Sequence, residues 1–181
     1  MDCHSDITRV LLSEDDIRKA VKTLGEKITQ DYEGRKLLLI GVLKGSFVFM
    51  SDLVRNIKQP LRLDFMSVSS YGSGVKTSGE VKIIKDLDKP VQGWDVLIVE
   101  DILDSGMTLS YLRELIKKRN PNSIRIATLL DKPDRRQVEI HPDYICFSIP
   151  DEFVVGYGLD YDEKYRNLPY VGVLDPAVYT K

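Results

Sequence analysis

Val96-Leu97-Ile98-Val99 runs directly into Glu100-Asp101, and after Ile102-Leu103 a third acid, Asp104, opens the short stretch Ser105-Gly106-Met107-Thr108. An apolar run broken by adjacent acids reads as a buried strand of a parallel sheet whose end carries chemistry. Residues 108–119 then place Leu109, Leu112, Leu115 and Ile116 on one helical face, so strand, acidic loop and helix meet at one point. Backbone N–H groups of residues 105–108 fall at that helix's N-terminus, where unpaired donors and the helix dipole favour a phosphate. Carboxylates beside a phosphate cradle suit a sugar phosphate together with a metal ion. The plainer account of such residues is solvated loop acids and helix caps, and Ser105 and Thr108 can serve as cap and ligand donor at once.

The chain that must position these groups has 181 residues, 43% of them apolar and 30% charged, which suits one globular domain spanning residues 1–181. A helix is expected from Ser13, a good N-cap with Asp16 three residues on, burying Ile17, Val21, Leu24 and Ile28. Cys3 falls in an N-terminus read as loose. Residues 36–42 read as a buried strand, 43–46 as a tight loop, and 47–57 as a helix with Phe47, Met50, Leu53, Val54 and Ile57 facing inward. Residues 61–67 give the next strand, 69–80 an exposed loop rich in Gly, Ser and Thr, and 81–84 a strand that pairs back as a hairpin. Further strands are expected at 123–130 and 144–148, followed by an irregular stretch and a short apolar segment at 170–174. The alternation predicts an α/β fold: a mainly parallel, twisted, doubly wound sheet flanked by helices. In such sheets ligands bind beyond the carboxyl ends of the strands, where Lys44, Glu100, Asp101, Asp104 and Lys132 all fall.

A formal net charge of -2 argues against a general nucleic-acid or membrane surface, because nonspecific phosphate binding needs a basic face. Cys3 and Cys146 fit a reduced compartment without a disulfide framework, and neither has metal-ligand spacing. No basic stretch leads into an apolar leader and no apolar run approaches the ~18 residues of a membrane span, so a cytoplasmic protein is expected. His4 and His141 are too isolated to suggest metal or acid–base work, and residues 41–46 lack the spacing of a Walker A loop.

The string from Glu100 to Thr108 resembles the phosphoribosyl pyrophosphate motif of the type I phosphoribosyltransferases. Leu43-Lys44-Gly45, Ser70-Tyr71-Gly72, Leu130-Asp131-Lys132, the run from Phe153 through Val154 and Val155 to Tyr157, Leu159-Asp160-Tyr161 and Arg166 follow in order. Together they are similar to the hypoxanthine-guanine branch of that family over nearly the whole chain. The resemblance implies a type I phosphoribosyltransferase fold with a small hood formed by the chain-terminal segments. It also implies Mg2+-dependent transfer from phosphoribosyl pyrophosphate to hypoxanthine or guanine, in a homodimer or homotetramer.

In this reading Glu100 and Asp101 face the ribose hydroxyls and magnesium, and Asp104 is the general base at purine N7. Ser105, Gly106, Met107 and Thr108 hold the 5′-phosphate; Met107 stands where related sequences often carry a basic residue, so backbone donors carry more of that task. Lys44, Gly45 and Arg166 contact pyrophosphate, with a non-proline cis peptide at Leu43-Lys44, and Asp160 is a further magnesium ligand. Ser70 and Tyr71 belong to a loop closing over the pyrophosphate to exclude water. Lys132 donates to the purine 6-oxo group, Phe153 stacks on the base, and the Val154 backbone reads its edge. An ammonium offers donors only, so it disfavours a 6-amino purine; a buried mismatch of this kind is worth roughly 10⁴ in discrimination. The bland alternatives are a solvated surface lysine for Lys44 and Lys132, core packing for Phe153 and Val154, and surface ion pairs for Asp160 and Arg166.

Two rival classes share parts of this pattern. A regulator that senses phosphoribosyl pyrophosphate and binds RNA or DNA can keep the acidic motif, but it needs a basic face and has no use for a purine pocket. A signalling receiver domain also pairs acids with magnesium and a later lysine, yet no phospho-acceptor stands at the end of the strand at residues 36–42.

Overall fold

The computed structural model describes residues 4–70 and 81–180. Strand β1 (Ile7–Leu12) leads into helix α1 (Glu14–Asp31), and β2 (Leu37–Leu43) into α2 (Phe47–Asn56). Strands β3 (Leu61–Ser70) and β4 (Val81–Lys85) precede β5 (Asp95–Leu103), α3 (Met107–Lys117) and β6 (Ser123–Asp131). After a 3-10 turn at Pro133–Arg135 come β7 (Tyr144–Ser148), β8 (Val154–Val155), β9 (Val171–Leu174) and α4 (Pro176–Tyr179). Ser13 caps α1 as its position demands: Oγ accepts from the Asp16 N–H at 3.2 Å and donates to the Asp16 carboxylate.

Six strands form the main sheet in the order β4-β3-β2-β5-β6-β7, every neighbouring pair parallel except β3 and β4. The two-residue period of a strand divides its interior into two cores. Leu37, Leu39, Leu97 and Val99 pack with Ile17, Val21 and Ile28 of α1 and Phe49 and Leu53 of α2. Leu38, Ile40, Val96 and Ile98 pack on the other face with Leu109, Leu112 and Ile116 of α3. Both faces of β2 and β5 are therefore covered, which is why these strands read as unbroken apolar runs until their functional ends.

A separate antiparallel sheet, in the order β1-β9-β8, brings the two chain-terminal regions together as the expected hood. Val155, Tyr165, Leu168 and Leu174 form its own small core. Among the described residues no helix is long and apolar enough to cross a membrane.

Residues 7–12, for which the sequence predicts no element, form β1, which pairs antiparallel with β9. Two expectations need correction. Strand β3 continues through Ser69 and Ser70, because β4 pairs with both, so the loop does not begin at Ser69. Phe47 does not face inward: it is 45% exposed, whereas Phe49 is fully buried. At the first position of α2, Phe47 lies on the far side of the helix from Phe49. Phe49→Ala should therefore lower stability by about 3–5 kcal/mol in urea unfolding, and Phe47→Ala by about 1 kcal/mol or less. Equal losses would show that Phe47 packs as the sequence pattern suggests.

Candidate active site

Strands β2, β5 and β6 lie side by side and parallel, so their carboxyl ends deliver Lys44, the acids from Glu100 to Asp104, and Lys132 to one edge of the sheet. The turn after β2 carries the cis peptide at Leu43-Lys44. A side chain on Gly45 would collide with the Asp101 carboxylate, and one on Gly158, at φ +102, would collide with the Gly45 carbonyl. Only glycine allows these three segments to meet so closely.

Asp101 is 8% exposed, and its Oδ1 accepts from the Ile102 N–H at 2.8 Å. Desolvation pushes its carboxyl from 3.8 to about 6, against hydrogen bonds and the Arg166 charge that favour ionisation, while Asp160 adds repulsion. Glu100 Oε2 is buried with no hydrogen-bond partner, and burial followed by repulsion from Asp101 raises that carboxyl well above its usual range. Burial thus outweighs whatever favours ionisation at both acids. A ribose diol supplies two donors that carboxylates accept, and Mg2+ is typically held by one or two carboxylates with the remaining oxygens from substrate and water. Among the described residues no group of three or more His, Cys, Asp or Glu side chains makes a preformed cage. The donor set fits a magnesium ion completed by a bound phosphate.

The cationic side is already paired. Lys44 Nζ lies 3.0 Å from Glu163 Oε2, and Arg166 Nη2 lies 3.7 Å from the same oxygen. The hydrogen bond from Lys44 holds the Glu163 carboxyl below its ordinary value. Arg166 Nη1 donates to the Gly158 carbonyl at 2.7 Å, Nη2 pairs with Asp160 Oδ1 at 2.8 Å, and Nε is buried without a partner. Asp160 Oδ2 accepts from the Glu163 N–H at 3.0 Å. The segment that makes these contacts is held in unusual backbone, with Tyr157, Asp162, Glu163 and Tyr165 at φ 51, 52, 60 and 75. Such values cost of order 1–3 kcal/mol each and persist where surrounding contacts fix them.

Between β5 and α3, Gly106 adopts φ 82 and Ser105 Oγ accepts from the Met107 N–H at 3.4 Å. Arg136 clamps this turn, donating to the carbonyls of Leu103, at 3.2 Å, and Asp104 while pairing with Asp131. Met107 is 43% exposed at the first helical position, so its side chain adds no charge to the donors of the turn.

Asp104, Lys132, Phe153, Val154, Ile102 and Tyr179 line one cavity of about 370 Å³. Lys132 is only 7% exposed, which removes the reading of a solvated surface lysine; Nζ donates to the Glu152 carbonyl at 2.6 Å and lies 3.8 Å from Asp151. Arg135 Nε donates to Asp104 Oδ1 at 3.2 Å and its Nη1 lies 3.6 Å from Asp151. Phe153 is 39% exposed, its ring turned to the cavity rim, whereas Val154 is buried and also packs in the core. Ser70 ends β3, and Tyr71 lies outside the described residues.

Sequence reasoning named residues that the fold brings to one sheet edge, but passed over Arg135, Arg136, Glu163 and Tyr179, which contact them. The Arg135-Arg136 pair, just past strand-ending Lys132, was a usable signal; no pattern marked Tyr179.

Residues 11–162 match the phosphoribosyl transferase domain family. The chain is 59% identical over 174 residues to the hypoxanthine-guanine phosphoribosyltransferase of Bacillus subtilis, covering 96% of this chain and 97% of that protein. It is 57% identical to the bifunctional protein TilS/HprT of Listeria monocytogenes over 98% of this chain, and spans 28% of that longer relative. A crystal structure of a Staphylococcus aureus hypoxanthine phosphoribosyltransferase superimposes with a TM-score of 0.95 at 54% identity, covering 98% of this chain and 97% of the other.

The raised carboxyl of Asp101 sets a test of the site's electrostatics. Its folded value exceeds the unfolded one, so the native state binds the extra proton between about pH 4 and 6, and the charge penalty is fully present only above that window. In substrate-free and metal-free protein, Asp101→Asn should raise stability by up to about 3 kcal/mol at pH 8, with the gain fading as pH falls to about 4. Urea unfolding at these pH values checks it; a gain unchanged at low pH would exclude buried charge as the cause.

Proposed function

The chain belongs to the phosphoribosyltransferase family, and on that premise we propose that it is a purine-salvage enzyme. It converts hypoxanthine or guanine and phosphoribosyl pyrophosphate into IMP or GMP and pyrophosphate. The observation that carries this reading is the cavity in which Asp104, buried Lys132 and Phe153 stand together beyond the strand ends.

Lys132, with one donor committed to Glu152, retains others for the purine 6-oxo oxygen, while Phe153 supplies the stacking face and the Val154 backbone reads the base edge. Asp104 accepts the N7 proton as the base bonds to C1′ and the bond from C1′ to the pyrophosphate oxygen breaks. Arg135 Nε, 3.2 Å from Asp104 Oδ1, holds that carboxylate in place. Glu100 and Asp101 accept from the ribose hydroxyls and balance positive charge developing on the sugar. The turn Ser105-Gly106-Met107-Thr108 holds the 5′-phosphate through backbone donors and hydroxyls. Lys44, the Gly45 backbone and Arg166 receive the departing pyrophosphate, and Ser70 and Tyr71 belong to the segment that covers it. Glu100, Asp101 and Asp160 would hold Mg2+, which would supply charge neutralisation at the phosphates. Residues 1–181 act as one domain, in a cytoplasmic homodimer or homotetramer.

Purified protein supplied with Mg2+, phosphoribosyl pyrophosphate and either base should form IMP or GMP, and adenine should be a poor substrate. Asp104→Asn should lower kcat by about 10²–10⁴. Absence of both nucleotides from folded wild-type protein would refute the assignment, and wild-type turnover in the variant would remove Asp104 as the base.

A further inference from the structure

We infer that Tyr179 is a positioning residue of the purine site, holding the Phe153 ring in the plane against which the base stacks; this rests on the functional reading above. Phe153 is a large apolar side chain at a rim, 39% exposed, and an unrestrained ring there would present no fixed face. Tyr179 stacks on it with centroids 4.8 Å apart and planes 25° from parallel. Tyr161 meets Phe153 edge-on at 5.7 Å and 86°, and meets Tyr179 at 6.2 Å and 62°. Each ring of this triad touches the other two, in the offset and edge arrangements aromatic quadrupoles prefer. Tyr179 covers one face of Phe153, which on this inference leaves the opposite face to the base.

The placement of Tyr179 is itself fixed from the hood. The Leu174 N–H donates to the Phe153 carbonyl at 2.9 Å, so the strand leading to α4 is tied to the residue that Tyr179 supports. The Asp175 N–H donates to the Asp6 carbonyl at 2.9 Å, and the Asp175 carboxylate accepts from the Ala177 N–H at 2.8 Å. Pro176 at the first helical position completes the short turn. Tyr179 also lines the cavity with Asp104 and Lys132. Among the described residues its hydroxyl has no hydrogen-bond partner, so the ring face is the part that acts.

Steady-state kinetics of wild type, Tyr179→Leu and Tyr179→Phe, with base and phosphoribosyl pyrophosphate varied separately, test this alongside GMP binding by calorimetry. Tyr179→Leu should raise KM for hypoxanthine and guanine by about three- to tenfold and weaken GMP by a similar factor. KM for phosphoribosyl pyrophosphate should stay at its wild-type value, and Tyr179→Phe should behave as wild type. An unchanged base KM in the leucine variant, an equal rise for both substrates, or loss in the phenylalanine variant would overturn the inference while leaving the functional reading intact. A lower base KM would also overturn it, because the tyrosine would then stand where the base belongs. Should the leucine variant fail to fold, Tyr179→Trp keeps a stacking face and should retain the wild-type base KM; a raised one counts against the inference. Wild-type protein inactive on both bases overturns the functional reading and this inference with it.

Discussion

Gly45 is wedged between the Asp101 carboxylate on one side and Gly158 on the other, and the site depends on that close approach. Three segments distant in sequence meet there: the lysine turn after β2, the acidic end of β5 and the loop between hood strands β8 and β9. The sheet alone could align strand ends, but alignment of parallel strands leaves a shallow edge. Contact without intervening side chains makes Lys44, Asp101 and Arg166 neighbours, since Arg166 donates to the carbonyl of Gly158 itself. The position of the cations is thereby tied to that of the acids.

Charge is distributed unevenly around this junction. Glu100 and Asp101 are desolvated with little to offset it, and both carboxyls are raised. Their cost is carried by the packed sheet, whose two cores bury β2 and β5 on both faces. Asp104, by contrast, is paired with Arg135, and its turn is clamped by Arg136. Neighbouring acids on one strand end are thus held in opposite conditions, two dominated by burial and one paired directly with a guanidinium.

What could be read from the chain follows from how each element is stabilised. Strands β2, β5 and β6 announce themselves because full burial demands apolar residues, and the first polar residue after them marks where the strand leaves the core. The acids of β5 and the lysines after β2 and β6 were legible for that reason. Hood strands are another matter: β8 has two residues, and β1 carries Thr8, Arg9 and an exposed Val10, so neither shows a clean alternation. Phe47 and Phe49 are both aromatic within one helix, and periodicity misjudged which of them meets the core. Tyr179 lies in a four-residue helix where no pattern can develop, and its neighbours are set by pairing of β9 with β8. Family resemblance supplied roles for individual residues, but burial of Lys132 and the pairing of Asp104 emerge only from the folded chain.

Lys44 and Arg166 share the carboxylate of Glu163, so this part of the sheet edge contains its own anion. Under the proposed function, a diphosphate arriving there would exchange with a resident carboxylate rather than meet bare cations. The Lys44–Glu163 pair is well exposed, 65% and 64% by side chain, and exposed pairs contribute only about 0–1 kcal/mol, so the exchange meets little resistance. Because the carboxylate stays covalently tethered nearby, it would compete again as the diphosphate loosens. In the proposed reaction Glu163 would thus make the cationic corner a reversible exchanger, limiting how tightly a highly charged leaving group clings to the protein that released it.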